Sequence, residues 1–120
     1  MRHSRSSIFG LVLLVLGVSV ASSWWAGRAK ERIGEQVATL AAPGDIRMLS
    51  SDTCGICAEA RSWFDANQIA FSECSIERDA ACRAAFDATR SPGTPVLLVR
   101  GSAQVGFDRQ RLLSALERPG

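Results

Sequence analysis

Cys54 and Cys57, which are separated by two residues, constrain the fold of this 120-residue chain more than any other feature. They follow a short apolar run at 46–49 and precede a segment with helical character at 58–66. A strand that leads into a helix places such a pair among the free N–H groups of the first turn, at the positive end of the helix dipole. Both effects favour the thiolate, which is the reactive form of cysteine, over the thiol.

The spacing also predicts different environments for the two thiols. Cys54 is expected at or beside the helix cap, facing solvent, and Cys57, one turn later, is expected to be more buried. An accessible thiol beside a buried one provides an attacking and a resolving group. The sequence therefore predicts dithiol–disulfide exchange.

Composition limits the other classes of function. The net charge is +2, so there is no basic excess to suggest a nucleic-acid partner. His3 is the single histidine and lies outside any plausible domain, which excludes a Cys–His nucleophile pair and a histidine-containing metal site. Without the apolar N-terminus, about 75 residues remain for one small domain.

The N-terminal segment is predicted to cross a membrane. Residues 8–26 carry no charge and follow Arg2 and Arg5, and a run of about 18 apolar residues is long enough to span a bilayer. A secretory signal has the same start, and residues 19–21 fit its small-x-small cleavage rule. A buried helix of a soluble protein is a third alternative.

Trp24 and Trp25 favour an anchor, because their rings suit the membrane–water interface. We therefore assign 1–27 to an N-terminal transmembrane anchor or uncleaved signal. We expect the rest of the chain on the periplasmic or extracytoplasmic side, since a short signal-like anchor usually leads the chain outward. The lysine and arginine counts favour the opposite orientation, so the cytoplasmic face stays open.

The remaining chain alternates between strand-like and helix-like patterns. Residues 28–44 are predicted to form a juxtamembrane helix and linker that ends at the breaker 42–45, and 45–120 is predicted to be the domain. Predicted strands lie at 46–49, 69–76, 95–99 and 103–105, and predicted helices at 55–67, 79–89 and 109–116. The order βαβαββα predicts an α/β fold with helical crossovers and a final hairpin.

Three motifs in this order resemble the glutaredoxin-like branch of the thioredoxin superfamily. They are the Cys54–Cys57 pair after the first strand, Gly93-Thr94-Pro95 before the third, and Val105-Gly106-Phe107-Asp108 before the last helix. The resemblance covers about 46–116 and implies a thioredoxin fold with thiol–disulfide oxidoreductase activity.

The resemblance also implies a substrate site. Pro95 would follow a cis peptide bond and expose the backbone of Thr94 to a bound peptide or glutathione. Gly106, Phe107 and Asp108 would complete this site, although Asp108 is equally well explained as a helix cap.

Two departures from the family pattern put glutathione in doubt. Ser51 stands where glutaredoxins usually carry a lysine, and Gly55-Ile56 replaces their usual Pro-Tyr. The missing lysine removes a charge that would bind a carboxylate and stabilise a thiolate. Glutathione is therefore predicted as an optional co-substrate, with no bound cofactor.

The second cysteine pair leaves several alternatives open. Cys74 and Cys82 are placed near the end of the second strand and the start of the next helix, where a structural disulfide would contribute about 2–3 kcal/mol. Two buried free thiols are the other interpretation, and a redox relay to Cys54–Cys57 is a third. The seven-residue separation of this pair disfavours zinc, and Cys57 disfavours a shared iron–sulfur cluster.

Two functions of different class follow. The first is an oxidoreductase in which Cys54 attacks and Cys57 resolves disulfides of proteins or of glutathione, with the membrane as a further partner and no nucleic acid. The alternative is a binding module without turnover that delivers a metal such as copper(I) or assembles a membrane complex. A non-catalytic remnant is a weaker third alternative.

Overall fold

The computed structural model of the protein describes residues 3–119, so Arg2 of the predicted charged flank lies outside the described residues. The elements, in chain order, are α1 (His3–Leu40), β1 (Ile46–Ser50), α2 (Gly55–Ala66), β2 (Ser72–Ser75), α3 (Ala80–Thr89), β3 (Val96–Val99), β4 (Ser102–Val105) and α4 (Arg109–Glu117). From β1 onward this order is the predicted βαβαββα, which is confirmed.

The strands form one mixed sheet in the order β2-β1-β3-β4. Strand β2 pairs with β1 in parallel, and Ser75 lies opposite Ser50. Strand β3 pairs with β1 in the antiparallel direction, and Leu49 lies opposite Val96. These registers bring the carboxyl ends of β1 and β2 and the amino end of β3 to the same edge of the sheet.

The second strand is shorter than predicted. It begins at Ser72 rather than at 69. The reason is that the Ile69 N–H donates to the carbonyl oxygen of Phe64 at 2.9 Å and so completes the end of α2 instead of joining the sheet. The side chain of Ile69 is buried in the core all the same.

The chain divides into two compact units, residues 1–32 and 33–120. In the first, α1 presents exposed apolar side chains and is long and apolar enough to cross a membrane. The guanidinium of Arg28 lies 3.7 Å from the ring centroid of Trp24. Such a contact suits the interfacial level of a bilayer.

The second unit begins earlier than the boundary at 45 that the sequence suggests. The sequence predicts a juxtamembrane helix and linker over residues 28–44, whereas the last turns of α1, from residue 33 on, pack on the core of this unit. Val37 is fully buried there, and Ile33, Ala38 and Ala41 pack against the same cluster. The helical spacing of these apolar residues therefore reflects packing on the domain.

Each face of the sheet has its own cluster of buried residues, because successive strand side chains point to opposite faces. On one face, residues of α2, α4 and the end of α1 pack around Met48 and Leu97. On the other, α3 contributes Cys82, which packs with Leu49 and Val96. Helices thus cover both faces, which explains the nearly continuous apolar run of β3.

Candidate active site

Cys54 is the N-cap of α2, the helix that follows the short loop after β1. Its backbone is extended, with φ −91° and ψ 109°, and its carbonyl accepts from the Ala58 N–H at 3.2 Å. Its Sγ accepts from the Cys57 N–H at 3.1 Å. This amide is one of the free donors of the first turn, and it stabilises negative charge on the sulfur.

The two cysteines differ in exposure. Cys57 is fully buried, whereas Cys54 is half-buried and the intervening Ile56 is 52% exposed. The two sulfurs form a disulfide with a Cα–Cα distance of 5.2 Å. Because only Cys54 is open to solvent, an external thiol or disulfide can reach the pair at this sulfur.

Pro95 lies at the edge of the sheet that carries Cys54. The Thr94–Pro95 peptide bond is cis, and Pro95 is buried while Thr94 is half-buried. The Gly106 N–H donates to the Pro95 carbonyl at 2.8 Å. Gly106 has φ +83°, a conformation that residues with a Cβ rarely adopt. The structure therefore brings Thr94, Pro95 and Gly106 together.

Phe107 and Asp108 have clear structural partners. The Phe107 ring packs against Trp63 and Phe64, with centroid distances of 5.5 and 5.8 Å, and belongs largely to the core. The Asp108 side chain accepts from the Arg111 N–H at 3.0 Å and caps α4. Of the two, Asp108 is the exposed residue.

Arg109 connects α4 to α2, and the sequence did not single it out. One guanidinium nitrogen lies 3.3 Å from a carboxylate oxygen of Glu59. Its guanidinium carbon lies 5.0 Å from the Phe107 ring centroid and 5.5 Å from that of Trp63. These contacts hold the start of α4 against the helix that carries the cysteine pair.

A polar groove of about 680 Å³ runs from Cys54 toward β2. It is lined by Ser50, Ser51, Asp52, Cys54, Ala58, Arg61, Glu73, Cys74, Ser75, Arg78 and Asp79. Arg61 binds both carboxylate oxygens of Glu73 in a fork, with 2.7 Å between Nε and Oε2. This bond, followed by that from the Ser50 hydroxyl, lowers the pKa of Glu73 despite partial burial. Its bond to Glu73 also raises the pKa of Arg61.

Glu77, in the turn between β2 and α3, binds the loop that leads to Cys54. Its carboxylate accepts from the hydroxyl of Ser51, from that of Ser75 at 2.9 Å, and from the Asp52 N–H at 3.2 Å. These bonds, that of Ser51 first, lower the pKa of Glu77 to about 2. The sequence did not identify Glu77. The register of the parallel pairing of β1 and β2 brings the turn after β2 to the loop after β1, and no local pattern shows that register.

The second cysteine pair is also bonded, with an S–S distance of 2.05 Å and a Cα–Cα distance of 6.0 Å. Cys82 is buried on the first turn of α3, where Asp79 accepts from the N–H groups of Ala81 and Cys82. Cys74 is half-buried and lies 3.5 Å from a guanidinium nitrogen of Arg47. Among the side chains that the structure describes, no three of His, Cys, Asp or Glu are grouped to hold a metal ion.

Residues 46–103 match the Glutaredoxin family model, which confirms the predicted resemblance to glutaredoxins over that stretch. A mutant form of the thioredoxin-like protein BC3987 shares the fold with a TM-score of 0.55 and 24% identity, over 61% of this chain and 95% of that chain. Wheat glutaredoxin is similar with a TM-score of 0.50 and 15% identity, over 73% of this chain and 92% of that chain. Glutaredoxin from Archaeoglobus fulgidus is similar with a TM-score of 0.50 and 14% identity, over 62% of this chain and 87% of that chain. No curated protein sequence matches the chain significantly.

Proposed function

We propose that this glutaredoxin-like domain is a thiol–disulfide oxidoreductase in which Cys54 is the nucleophile and Cys57 the resolving thiol. One observation carries the proposal: the Sγ of Cys54 lies at the N-cap of α2 and accepts from the Cys57 N–H at 3.1 Å, while Cys57 itself is buried. This arrangement makes one sulfur a stabilised, accessible thiolate and keeps the other within reach.

In the reducing direction, the Cys54 thiolate attacks one sulfur of a substrate disulfide. An S–S bond forms between Cys54 and the substrate, the substrate's own S–S bond breaks, and its other sulfur leaves as a thiolate. The Cys57 N–H and the helix dipole stabilise the negative charge on Cys54 before the attack, as they do on the leaving sulfur in the reverse reaction.

Cys57 then resolves the mixed disulfide. Its thiol loses a proton, its thiolate attacks the Cys54 sulfur, and the second substrate sulfur leaves and is protonated. The Cys54–Cys57 disulfide that results is the state of the structure. A further turnover requires two electrons and two protons from an external thiol, and the reverse sequence donates the disulfide to a reduced protein.

The substrate is proposed to be a protein disulfide or glutathione that approaches over Ile56 and Thr94. Ile56 is exposed beside Cys54, and Thr94 lies at the same edge of the sheet. Pro95, Gly106 and Asp108 would complete the binding surface, with the Asp108 carboxylate available to an ammonium group. Phe107 would support this surface from the core side.

We further propose that α1 anchors the domain to a membrane, with the catalytic unit on the extracytoplasmic side. The exposed apolar side chains of α1 and the stacking of Arg28 on Trp24 support the anchor, and the side follows from the sequence expectation that a short signal-like anchor leads the chain outward. Protease protection in sealed vesicles, with the cleavage sites mapped by mass, tests the orientation.

The test of the catalytic proposal is a redox titration of the full chain in detergent against glutathione buffers. Free thiols are trapped and counted by mass at each potential. We expect the Cys54–Cys57 pair to show one reversible two-electron step, which Cys54→Ser abolishes and Cys74→Ser/Cys82→Ser retains. A pair that stays in one state across the range would overturn the proposal. Stoichiometric copper(I) binding to the reduced chain without turnover would then favour the alternative of a binding module.

A further inference from the structure

The turn between β2 and α3 is bonded to the end of β1 and to the loop that leads from β1 to Cys54. The Ile76 N–H donates to the Ser50 carbonyl at 2.9 Å, which extends the parallel pairing of the strands beyond their ends. The Glu77 carboxylate accepts hydrogen bonds from the Ser51 hydroxyl and the Asp52 N–H. One side chain thus binds two consecutive residues of the loop.

This loop leads directly to the nucleophile. The Cys54 N–H donates to the Ser51 carbonyl at 3.3 Å, and Arg78 of the same turn binds the Asp52 carboxylate at 3.0 Å. Glu77 is therefore connected to the Cys54 backbone through a single residue, Ser51. Movement of the Glu77 carboxylate would alter the position of the helix cap, where the reactive sulfur lies.

The other side of the turn is held by the second disulfide. Glu77 lies within the loop that the Cys74–Cys82 bond closes, and the Asp79 N–H donates to the Ser75 carbonyl at 3.0 Å inside it. Cys82 is buried against Leu49 and Val96. The bond thus fixes the turn to the same strands that carry the active site. Cys74 is half-buried and lines the groove that also contains Cys54.

We propose that Glu77 is a positioning residue for Cys54 and that the Cys74–Cys82 disulfide holds it in place, so that the redox state of the second pair tunes the reactivity of the first. The inference rests on the proposed function and adds its regulation. Reduction of Cys74–Cys82 by an external dithiol breaks one S–S bond, takes up two electrons and two protons, and oxidises that dithiol to a disulfide.

The direction of the effect follows from charge. An ionised carboxylate beside the loop disfavours the Cys54 thiolate and so favours the oxidised Cys54–Cys57 pair, which makes the couple more reducing. Glu77 is the carboxylate that binds two residues of this loop, and the hydrogen bonds that it accepts favour its ionised form.

The charged groups that line the groove, to which Glu77 does not belong, are largely neutralised by one another. Arg61 pairs with Glu73 and Arg78 with Asp52, which leaves Asp79, whose carboxylate caps α3. Glu59 on α2 pairs with Arg109. The Glu77 carboxylate is bound by the hydroxyls of Ser51 and Ser75 and by the Asp52 N–H, which carry no charge and so do not cancel its own.

The test measures the pKa of the Cys54 thiol in the full chain in detergent. In a Cys57→Ser background with Cys74–Cys82 oxidised, the alkylation rate of Cys54 is followed against pH. We expect Glu77→Gln to lower this pKa by about half a unit, about threefold in the ratio of thiolate to thiol. In the chain with Cys57 intact, the equilibrium constant with glutathione should change about threefold toward the reduced pair, about 14 mV.

Glu117→Gln is the matched control. It removes the same charge at the end of α4, where Arg100 binds the Leu116 carbonyl and Asp45, at the opposite edge of the sheet from Cys54. We expect no change in the pKa of Cys54. An equal shift in both variants would mean that only net charge matters, and the inference would be overturned.

The role of the second disulfide is tested by repeating Glu77→Gln in a Cys74→Ser/Cys82→Ser background. The effect of Glu77→Gln on the Cys54 pKa should then disappear, because the turn no longer holds the carboxylate against the loop. A full effect in both backgrounds would overturn the proposed coupling. Where the cysteine variant fails to fold, selective reduction of Cys74–Cys82 in the Cys57→Ser chain gives the same comparison.

The link from Glu77 through Ser51 to Cys54 is tested by a double-mutant cycle that combines Glu77→Gln with Ser51→Ala. We expect the two changes to be non-additive in the Cys54 pKa, since Ser51 links Glu77 to the cap. Strict additivity would contradict the link. A working two-electron step in the unsubstituted chain with no effect of Glu77 would refute this inference alone. Absence of the step itself would refute the proposed function.

Discussion

A Cβ atom added to Gly34 would lie 2.0 Å from Oδ1 and 2.5 Å from Cγ of Asn67, so α1 approaches the end of α2 where only a hydrogen fits. Asn67 is the C-cap of α2, and its side-chain amide donates to the Trp63 carbonyl at 2.9 Å. The contact fixes the last turns of α1 to the helix that begins with the cysteine pair. A methyl group at this position would displace the Asn67 amide, which favours glycine here although glycine is otherwise unfavourable within a helix.

Gly34→Ala is expected to destabilise the domain by about 1–3 kcal/mol, because the methyl group displaces the Asn67 amide from its hydrogen bond. In an Asn67→Ala background the sign should reverse. There the substitution gains up to about 1 kcal/mol of helix propensity without the clash. Urea unfolding in mild detergent measures both; equal effects in the two backgrounds would contradict the contact.

Val37→Ala is expected to cost about 2 kcal/mol of unfolding free energy, since this fully buried side chain belongs to the core of the catalytic unit. Gln36→Ala, at the preceding exposed position, is the control and should change stability by less than about 0.5 kcal/mol. Equal effects, read from the same urea transitions, would place the end of α1 outside the domain.

Cys57→Ser is expected to stop the reaction at the mixed disulfide. With glutathione disulfide, the variant should accumulate one glutathione bound to Cys54, because the buried resolving thiol is missing. Intact-mass analysis and peptide mapping identify the adduct. An adduct on Cys74 or Cys82 instead would assign the nucleophile to the second pair.

The two roles of Asp108, capping α4 and binding substrate, can be separated by two substitutions. Asp108→Asn keeps an N-cap acceptor for the Arg111 N–H and should leave stability within about 0.5 kcal/mol, whereas Asp108→Ala should lose about 1 kcal/mol. If the carboxylate also binds substrate, Asp108→Asn should lower kcat/KM without a change in stability. Unchanged kinetics in Asp108→Asn would leave the residue as a cap alone.

Glu77 should make the stability of the domain dependent on pH in the acid range. Its pKa is about 2 in the folded chain against 4.5 for the free group, so its contribution is complete above pH 4.5 and is lost as the pH falls toward 2. The difference in unfolding free energy between the unsubstituted chain and Glu77→Gln should therefore shrink over this interval. Ser51→Ala removes the largest of the responsible bonds and should weaken the pH dependence; an unaltered profile would contradict that assignment.

Short-range patterns were sufficient to predict most of the elements. The alternation of apolar runs and helical spacing placed every strand and helix from β1 to α4, because each pattern reports which side chains face the core. Asp108 was identified as a cap from its place before an apolar helical pattern, and the structure shows that hydrogen bond. Such features depend on residues within about four positions of one another.

Contacts between distant segments were decided by the tertiary structure. Glu77 meets Ser51 because β1 and β2 pair in parallel with Ser50 opposite Ser75, a register that no local pattern contains. The extension of the domain back to Ile33 depends on the space between Gly34 and Asn67. Phe107 packs into the core because Trp63 and Phe64 present their rings to it.

The sequence by itself determined the reactive pair, since the helix cap, both cysteines and the start of the helix lie within four residues and interact through short-range bonds. Only the tertiary structure decided what surrounds that pair: which carboxylate holds its loop and which disulfide holds that carboxylate. The physical reason is that hydrogen bonds across a sheet edge arise from strand register and packing, which are properties of the whole chain.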